Sequence, residues 1–422
     1  MRIVASLRGR DEEDARATRT RLRFHRLDEH TSDAAAAVLL VHDERPELRR
    51  RMLMLDRRRH VQVSKADDPF ADLRDEDTVA DDHEPLQARQ GRARLGRIAQ
   101  LAQELPNCRR VGGPRIPDRQ IHPSRIWAVL GEVLTAIVTP FRRDGTIDFE
   151  CFRELAQHLV ESGSDGIVVA GTTGESPTLS DDERLELFRV AVDTLKGRAT
   201  VIAGTGTYST AHSVHLTREA HELGVDGFLV VTPYYNKPPA RGIVEHFRTI
   251  AAVSDRPIIV YNIPGRVVIN IEPETIVELA EIPTVRAVKQ TNDDLVQARR
   301  IVGETHLDLY AGDDNLIFPF LELGGVGGVC VHTHVAGPQV KAMVRAFREG
   351  DVETARRIDQ ELEPAYELLK VQTNPIAIKA ALTLLGHDVG GLRLPLVQAS
   401  ESELARVRDC LERLGALSPA AV

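Results

Sequence analysis

Val285-Arg286-Ala287-Val288-Lys289-Gln290-Thr291 is the stretch on which the fold turns. Four of its first five residues suit a short strand, and the period-2 rule places Val285, Ala287 and Lys289 on one face. A lysine sharing a face with Val and Ala at the end of an apolar strand is poorly solvated. Desolvation disfavours the ammonium form, and a nucleophile that attacks carbonyls needs the free amine. A strand-end lysine can also simply snorkel to solvent, so its neighbours must decide.

Working outward, strand, turn and amphipathic helix repeat from Val133 onward. Strands are expected at Leu134–Thr139, Gly166–Ala170, Thr200–Ala203, Gly227–Thr232, Pro257–Asn262, Val285–Lys289, Leu307–Ala311 and Gly328–Val331. Helical patterns lie between them at Asp148–Ser162, Ser180–Lys196, Thr210–Leu223 and Arg241–Ser254. Ser180 with Glu183 three positions on is a capping box. Strands that are apolar throughout, alternating with helices, mean a parallel sheet covered on its outer face. Eight such units imply a (β/α)8 TIM barrel. A doubly wound open sheet is the alternative, but no G-x-G-x-x-G follows the first strand. Beyond Val331 only helices are expected, at Pro338–Glu349, Val352–Val371, Pro375–Leu385 and Ser402–Leu414.

Residues 1–128 have another texture. They hold no tyrosine, two phenylalanines (Phe24 and Phe70), one lysine (Lys65) and many arginines, with an acidic cluster from Asp72 to Glu84. So few aromatics among so many charges bury little core, and disorder is expected. A start codon placed too far upstream, with Val129 as the true beginning, gives the same pattern. The domains are therefore read as a 1–128 extension, a 129–350 barrel and a 351–422 helical domain.

Composition removes several function classes. A net charge of −9 gives no bulk attraction to nucleic acid. Cys108, Cys151, Cys330 and Cys410 form no C-x-x-C, which argues against a disulfide framework and for a reducing, cytoplasmic setting. The early apolar run Ala34–Val41 is far short of the ~20 residues of a membrane span, and charges interrupt Met1–Asp14 before a signal-peptide core can form.

In such a barrel the C-terminal strand ends face the active site. Strand two ends in Gly171-Thr172-Thr173-Gly174-Glu175-Ser176, where open backbone N–H groups and two hydroxyls can hold a small carboxylate. Strand four ends in Thr232-Pro233-Tyr234-Tyr235-Asn236-Lys237-Pro238 and strand five in Tyr261-Asn262-Ile263-Pro264-Gly265-Arg266. The sixth ends in Lys289 and the seventh in Gly312-Asp313-Asp314. An amine ringed by phenols, hydroxyls, an arginine and an anion-holding turn is what Schiff-base chemistry on a 2-keto acid requires.

These motifs together, in this order and spacing from about Val133 to the C-terminus, resemble the dihydrodipicolinate synthase (4-hydroxy-tetrahydrodipicolinate synthase) family. The resemblance does not reach residues 1–128. It implies a class I aldolase on a (β/α)8 barrel with a C-terminal helical domain, usually homotetrameric, using no cofactor and no metal. Such enzymes condense pyruvate with L-aspartate 4-semialdehyde on the way to lysine and diaminopimelate. It further implies that Lys289 is the Schiff-base lysine, Tyr261 and Thr172 relay protons, and Tyr235 is contributed across a tight dimer interface. Thr173 would hold the pyruvate carboxylate and Arg266 the semialdehyde's, while Gly312 and Val329 line the pocket. Arg266 paired with Gly171–Ser176 favours the synthase over sugar-acid lyases acting on N-acetylneuraminate or 2-keto-3-deoxy acids.

The chain also departs from that pattern. Where lysine-inhibited members keep histidines, an Asn and a Glu, it has Asp181, Arg184, Tyr208 and His212, while Ser176 and Tyr234 remain, so feedback by lysine is not among the expectations. Gln290-Thr291-Asn292 replaces the usual acidic residue and alanine. From another class altogether, His332-Thr333-His334 at the eighth strand end offers two imidazoles on one strand face, as in metal-dependent barrel hydrolases. Strands five and six supply Tyr261 and Lys289 where such a site needs further ligands.

Overall fold

A computed structural model describes residues 130–418; the expectation for residues 1–128 lies outside the described residues. Eight parallel strands close in sequence order into a barrel: β1 Val133–Ala136, β2 Gly166–Val169, β3 Thr200–Gly204, β4 Gly227–Val231, β5 Ile258–Asn262, β6 Val285–Gln290, β7 Asp308–Ala311 and β8 Gly327–Cys330. β8 returns to β1 with Leu134 opposite Val329.

The outer helices are α1 Phe149–Glu161, α2 Asp181–Leu195, α3 Thr210–Glu222, α4 Ala240–Ala251, α5 Pro264–Val267, α6 Pro273–Ala280, α7 Leu295–Glu304, α8 Ile317–Glu322 and α9 Thr333–Arg348. Their sequences explain their seating. In α4 the buried Ile243, Val244, Phe247 and Ile250 recur at helical spacing, and each such side chain contributes about 1.5–3 kcal/mol when fully buried. Ser180 and Glu183 form the expected capping box at the start of α2. Two apolar layers result. One, between strands and helices, includes Val169, Val260 and Val288. The other fills the barrel with Leu134, Ile202, Ile259, Ala287 and Val329.

Three expectations are corrected. β6 does not keep a plain period of two. The register shifts between Ile258, which pairs with Val285, and Ile259, which pairs with Ala287. This bulge leaves Arg286 exposed and turns Val285 into the outer layer, while Ala287 remains inside. The helix expected over Val352–Val371 is two, α10 Val352–Glu361 and α11 Glu363–Leu369. Leu362 lies between them and Pro364, lacking an N–H, starts the second. Finally, α9 begins at Thr333 and bends at Ala336, two residues before Pro338. His332 and His334 therefore sit in the first turn of a helix, not on a strand face.

Two more helices, α12 Ile376–Leu384 and α13 Glu401–Arg413, follow among the described residues. Among the described residues no helix is long and apolar enough to cross a membrane.

Candidate active site

The strand ends converge on a cavity of about 160 Å³, smaller than the roughly 300 Å³ at which drug-sized pockets begin; its occupant must be a small molecule. Lys289 and Tyr261 are opposite each other in the β5–β6 register. Both are 5 % exposed. The lysine Nζ lies 4.4 Å from the centre of the Tyr261 ring, so amine and phenol share one wall.

Gly312, at the end of β7, makes room for them. A Cβ there would collide with Thr291 Oγ1 and come within 3.0 Å of Lys289 Cε, so any side chain at 312 must push Thr291 aside and crowds the nucleophile. The opposite wall is the turn after β2. Thr172 and Thr173 line the cavity, and the turn closes on itself through Glu175 N–H to Thr172 O at 3.1 Å and Ser176 N–H to Gly171 O at 3.3 Å. Thr139 Oγ1 adds a bond to Gly174 O at 2.7 Å.

Arg266, on α5, is exposed at the cavity edge and donates Nη2 to Asn374 O at 3.3 Å. Asn374 was not foreseen. It lies in the loop between α11 and α12, and its Nδ2 donates to Thr173 Oγ1 at 2.9 Å. One residue thus links the two positions expected to hold carboxylates. The only sign in the sequence was the polar Gln372-Thr373-Asn374 that interrupts an apolar helical run.

Asp313, also lining the cavity, was quoted as a strand end but given no role. Burial, and then the charge of Asp314, push its carboxyl up to about 6 against the pull of Lys289 and Arg266. Val329 is fully buried in the barrel filling and not on the cavity; Val331 lines it instead. Tyr235 is 91 % exposed with φ 70° and does not reach the cavity of its own chain.

The departures after Lys289 are accommodated outside the cavity except at one position. Gln290 Oε1 accepts from Asn262 Nδ2 at 3.0 Å, and Asn292 Nδ2 donates to Gln297 Oε1 at 3.1 Å, both in an amide network behind the strands. Only Thr291 faces the cavity. At the positions read above as departures, His212 Nε2 bonds the Asp181 carboxylate at 2.8 and 3.0 Å, and Arg184 Nη2 bonds Ser176 O at 2.5 Å.

The two-imidazole metal reading fails on His334. Its Nδ1–H donates to Val331 O at 2.8 Å and its Nε2 accepts from Val138 N–H at 3.3 Å. Burial lowers its pKa to about 4, so both nitrogens are committed in the neutral ring. His332, Cys330 and Asp314 do bring donor atoms together. However, Asp314 Oδ1 already accepts from Val331 N–H at 2.7 Å and His332 N–H at 2.9 Å, and burial raises the Cys330 thiol well above its usual range. That donor set suits a closed polar core better than an open hydrolytic metal.

A TIM barrel that presents a buried lysine, a phenol against it and a hydroxyl-bearing turn to one small cavity defines a class I, Schiff-base-forming aldolase-type lyase. Residues 129–414 match the model of the Dihydrodipicolinate synthetase family, and the chain belongs to that family. It is 48% identical over 289 residues to the 4-hydroxy-tetrahydrodipicolinate synthase of Moorella thermoacetica, covering 68% of this chain and 99% of the relative. To the enzyme of the same name from Cyanothece sp. it is 48% identical over 290 residues, again covering 68% and 99%. Among solved structures, DHDPS from Cyanidioschyzon merolae with lysine bound superposes with a TM-score of 0.67 at 45% identity, covering 68% of this chain and 99% of that one. The chloride-inhibited enzyme from Acinetobacter baumannii complexed with pyruvate gives a TM-score of 0.67 at 32% identity, covering 68% and 100%.

Proposed function

We propose that the chain is a 4-hydroxy-tetrahydrodipicolinate synthase, condensing pyruvate with L-aspartate 4-semialdehyde in lysine and diaminopimelate biosynthesis. The observation that carries this reading is the Lys289–Tyr261 pair, 4.4 Å from amine to ring centre, at the floor of a cavity bounded by Thr172, Thr173 and Arg266.

Lys289 Nζ, as the free amine, attacks C2 of pyruvate. The resulting carbinolamine loses water as a proton is delivered to its hydroxyl, and Tyr261 with Thr172 is placed to pass that proton. Thr173 and the N–H groups of its turn take the pyruvate carboxylate. Loss of a proton from C3 gives the enamine, whose C3 bonds to the aldehyde carbon of the second substrate. Arg266 takes that substrate's carboxylate at the cavity edge, with Asn374 beside it. The substrate's own amine then displaces Lys289 from the imine carbon, closing the ring and freeing the enzyme.

Tyr235 completes this reading in a homo-oligomer. Its exposed phenol, presented in a left-handed backbone conformation, is assigned to the proton relay of a neighbouring subunit in a dimer of dimers. Free thiols at Cys151, Cys330 and Cys410 suit a cytoplasmic enzyme.

The test is borohydride trapping with pyruvate, followed by peptide mapping, beside coupled assays with aspartate semialdehyde and with N-acetylmannosamine. The reading expects one reduced pyruvate on the Lys289 peptide and turnover of the semialdehyde alone. Turnover of the sugar alone would assign the chain to sugar-acid lyase chemistry.

A further inference from the structure

Glu175 ends the turn that carries Thr172 and Thr173, and it does so at φ 56°. Non-glycine residues keep left-handed backbone only where their surroundings over-determine it. Those surroundings are an ion pair that the chemistry above does not use. The Glu175 carboxylate is fully buried, and its Oε1 accepts from Lys379 Nζ at 2.6 Å. Its Oε2 accepts from Arg393 N–H at 3.1 Å.

Lys379, on α12, is held by Glu175, by Gly391 O at 2.7 Å and by the face of Phe141, 4.4 Å from ring centre. It is absent from the lining of the cavity that holds Lys289, bordering instead a separate hollow with Phe141 and Arg393, so it does not reach the substrate of Lys289. Nor is a buried ion pair strong support for stability, because a matched apolar pair often does as well.

What the pair supplies is position. Lys379 is five residues after Asn374, whose side chain bonds Thr173 at 2.9 Å from the cavity side. One short segment of the C-terminal helical region therefore holds the turn twice, from the cavity through Asn374 and from behind through Lys379.

We propose that the Glu175–Lys379 pair is a positioning device for the first substrate, fixing the Thr172-Thr173 turn at the carboxylate end of pyruvate while touching no substrate itself. This rests on the function proposed above. The pair acts chiefly on pyruvate, because Arg266 stands on α5, outside the turn that Glu175 ends, and meets this segment only through its bond to Asn374 O.

The experiment measures borohydride trapping against pyruvate concentration, and both KM values, in Glu175→Gln/Lys379→Met and in Glu175→Gln. The double variant removes both charges together. In the single variant Lys379 can release its proton instead of remaining a lone buried cation, which keeps a second folded protein in hand. The pyruvate concentration for half-maximal trapping should rise about ten-fold, as a small misplacement of a binding group does. Trapping at saturating pyruvate should match the parent, and KM for the semialdehyde should stay within about two-fold. A folded variant with unchanged pyruvate dependence, or with both KM values raised alike, overturns the proposal. Failure of the parent protein to trap pyruvate at all would instead overturn the assigned function.

Discussion

Two clusters of titratable side chains stand at the same end of this barrel, and they differ in what they face. Lys289 and Tyr261 open onto a cavity whose walls carry hydroxyls and a guanidinium. The second cluster is closed. His334 spends both nitrogens on backbone groups, His332 rests against Asp314, and Tyr366 donates to Asp359 at 2.8 Å. The second holds more ionisable groups than the first, yet apart from Asp314, which also borders the cavity, its groups meet protein where those of the first meet space. Density of ionisable groups does not mark a catalytic centre here; access does.

The sharpest way to break that contrast is at Lys289. Lys289→Ala should abolish pyruvate trapping and lower turnover by about four powers of ten or more, as loss of a nucleophile does. Lys289→Arg should do no better, because a guanidinium stays protonated and cannot attack a carbonyl. Retained labelling in Lys289→Ala would mean that another amine reaches the cavity.

Arg266→Ala should cost less and act on one substrate. It removes a charge-assisted contact worth roughly 1.5–3 kcal/mol, about one to two powers of ten in kcat/KM for the semialdehyde. Trapping of pyruvate alone should be nearly unchanged. If trapping falls and semialdehyde dependence does not, the two carboxylate sites are assigned the wrong way round.

The closed cluster predicts the opposite kind of effect. His334→Leu orphans Val331 O and Val138 N–H, each a loss of about 1–3 kcal/mol, so Tm should drop by several degrees. With the protein still folded, both KM values and kcat should hold. A selective loss of kcat, recovered by added zinc, would revive the metal reading of this end of the barrel.

The sequence carried the barrel because its strands are apolar on both faces and regularly spaced, a signal that survives errors of a residue or two at each end. It brought Lys289, Tyr261, Thr172, Thr173 and Gly312 to one cavity for a related reason: strand ends can be counted. What it did not carry depends on contacts between distant segments. The bulge at Arg286 is visible only in the pairing of β5 with β6. Asn374 reaches Thr173 across 201 positions of chain, and Lys379 reaches Glu175 across 204. Val329 faces the barrel filling, and Val331, one residue past the end of β8, lines the cavity instead. His332 and His334 looked like a strand pair because nothing local announces that α9 begins five residues before Pro338.

The smallest effect expected is at Asp313, on the open side of the comparison. Burial first, and the neighbouring Asp314 charge second, raise its carboxyl to about 6, above the usual aspartate value of about 4. Between those pH values the folded protein binds more protons at this site than the unfolded chain, so this residue's contribution to stability falls as pH rises from about 4 through 6. Asn has the same shape and no proton to lose. The Tm of Asp313→Asn should therefore match that of the parent near pH 4 and exceed it by a few degrees at pH 7.5, measured without substrate. A difference that is constant across this range would show that the Asp313 carboxyl is solvated at the cavity edge. A variant less stable than the parent at pH 7.5, with the gap closing only below about pH 4, would mean that Lys289 and Arg266 outweigh burial, leaving a paired carboxylate beside the nucleophile.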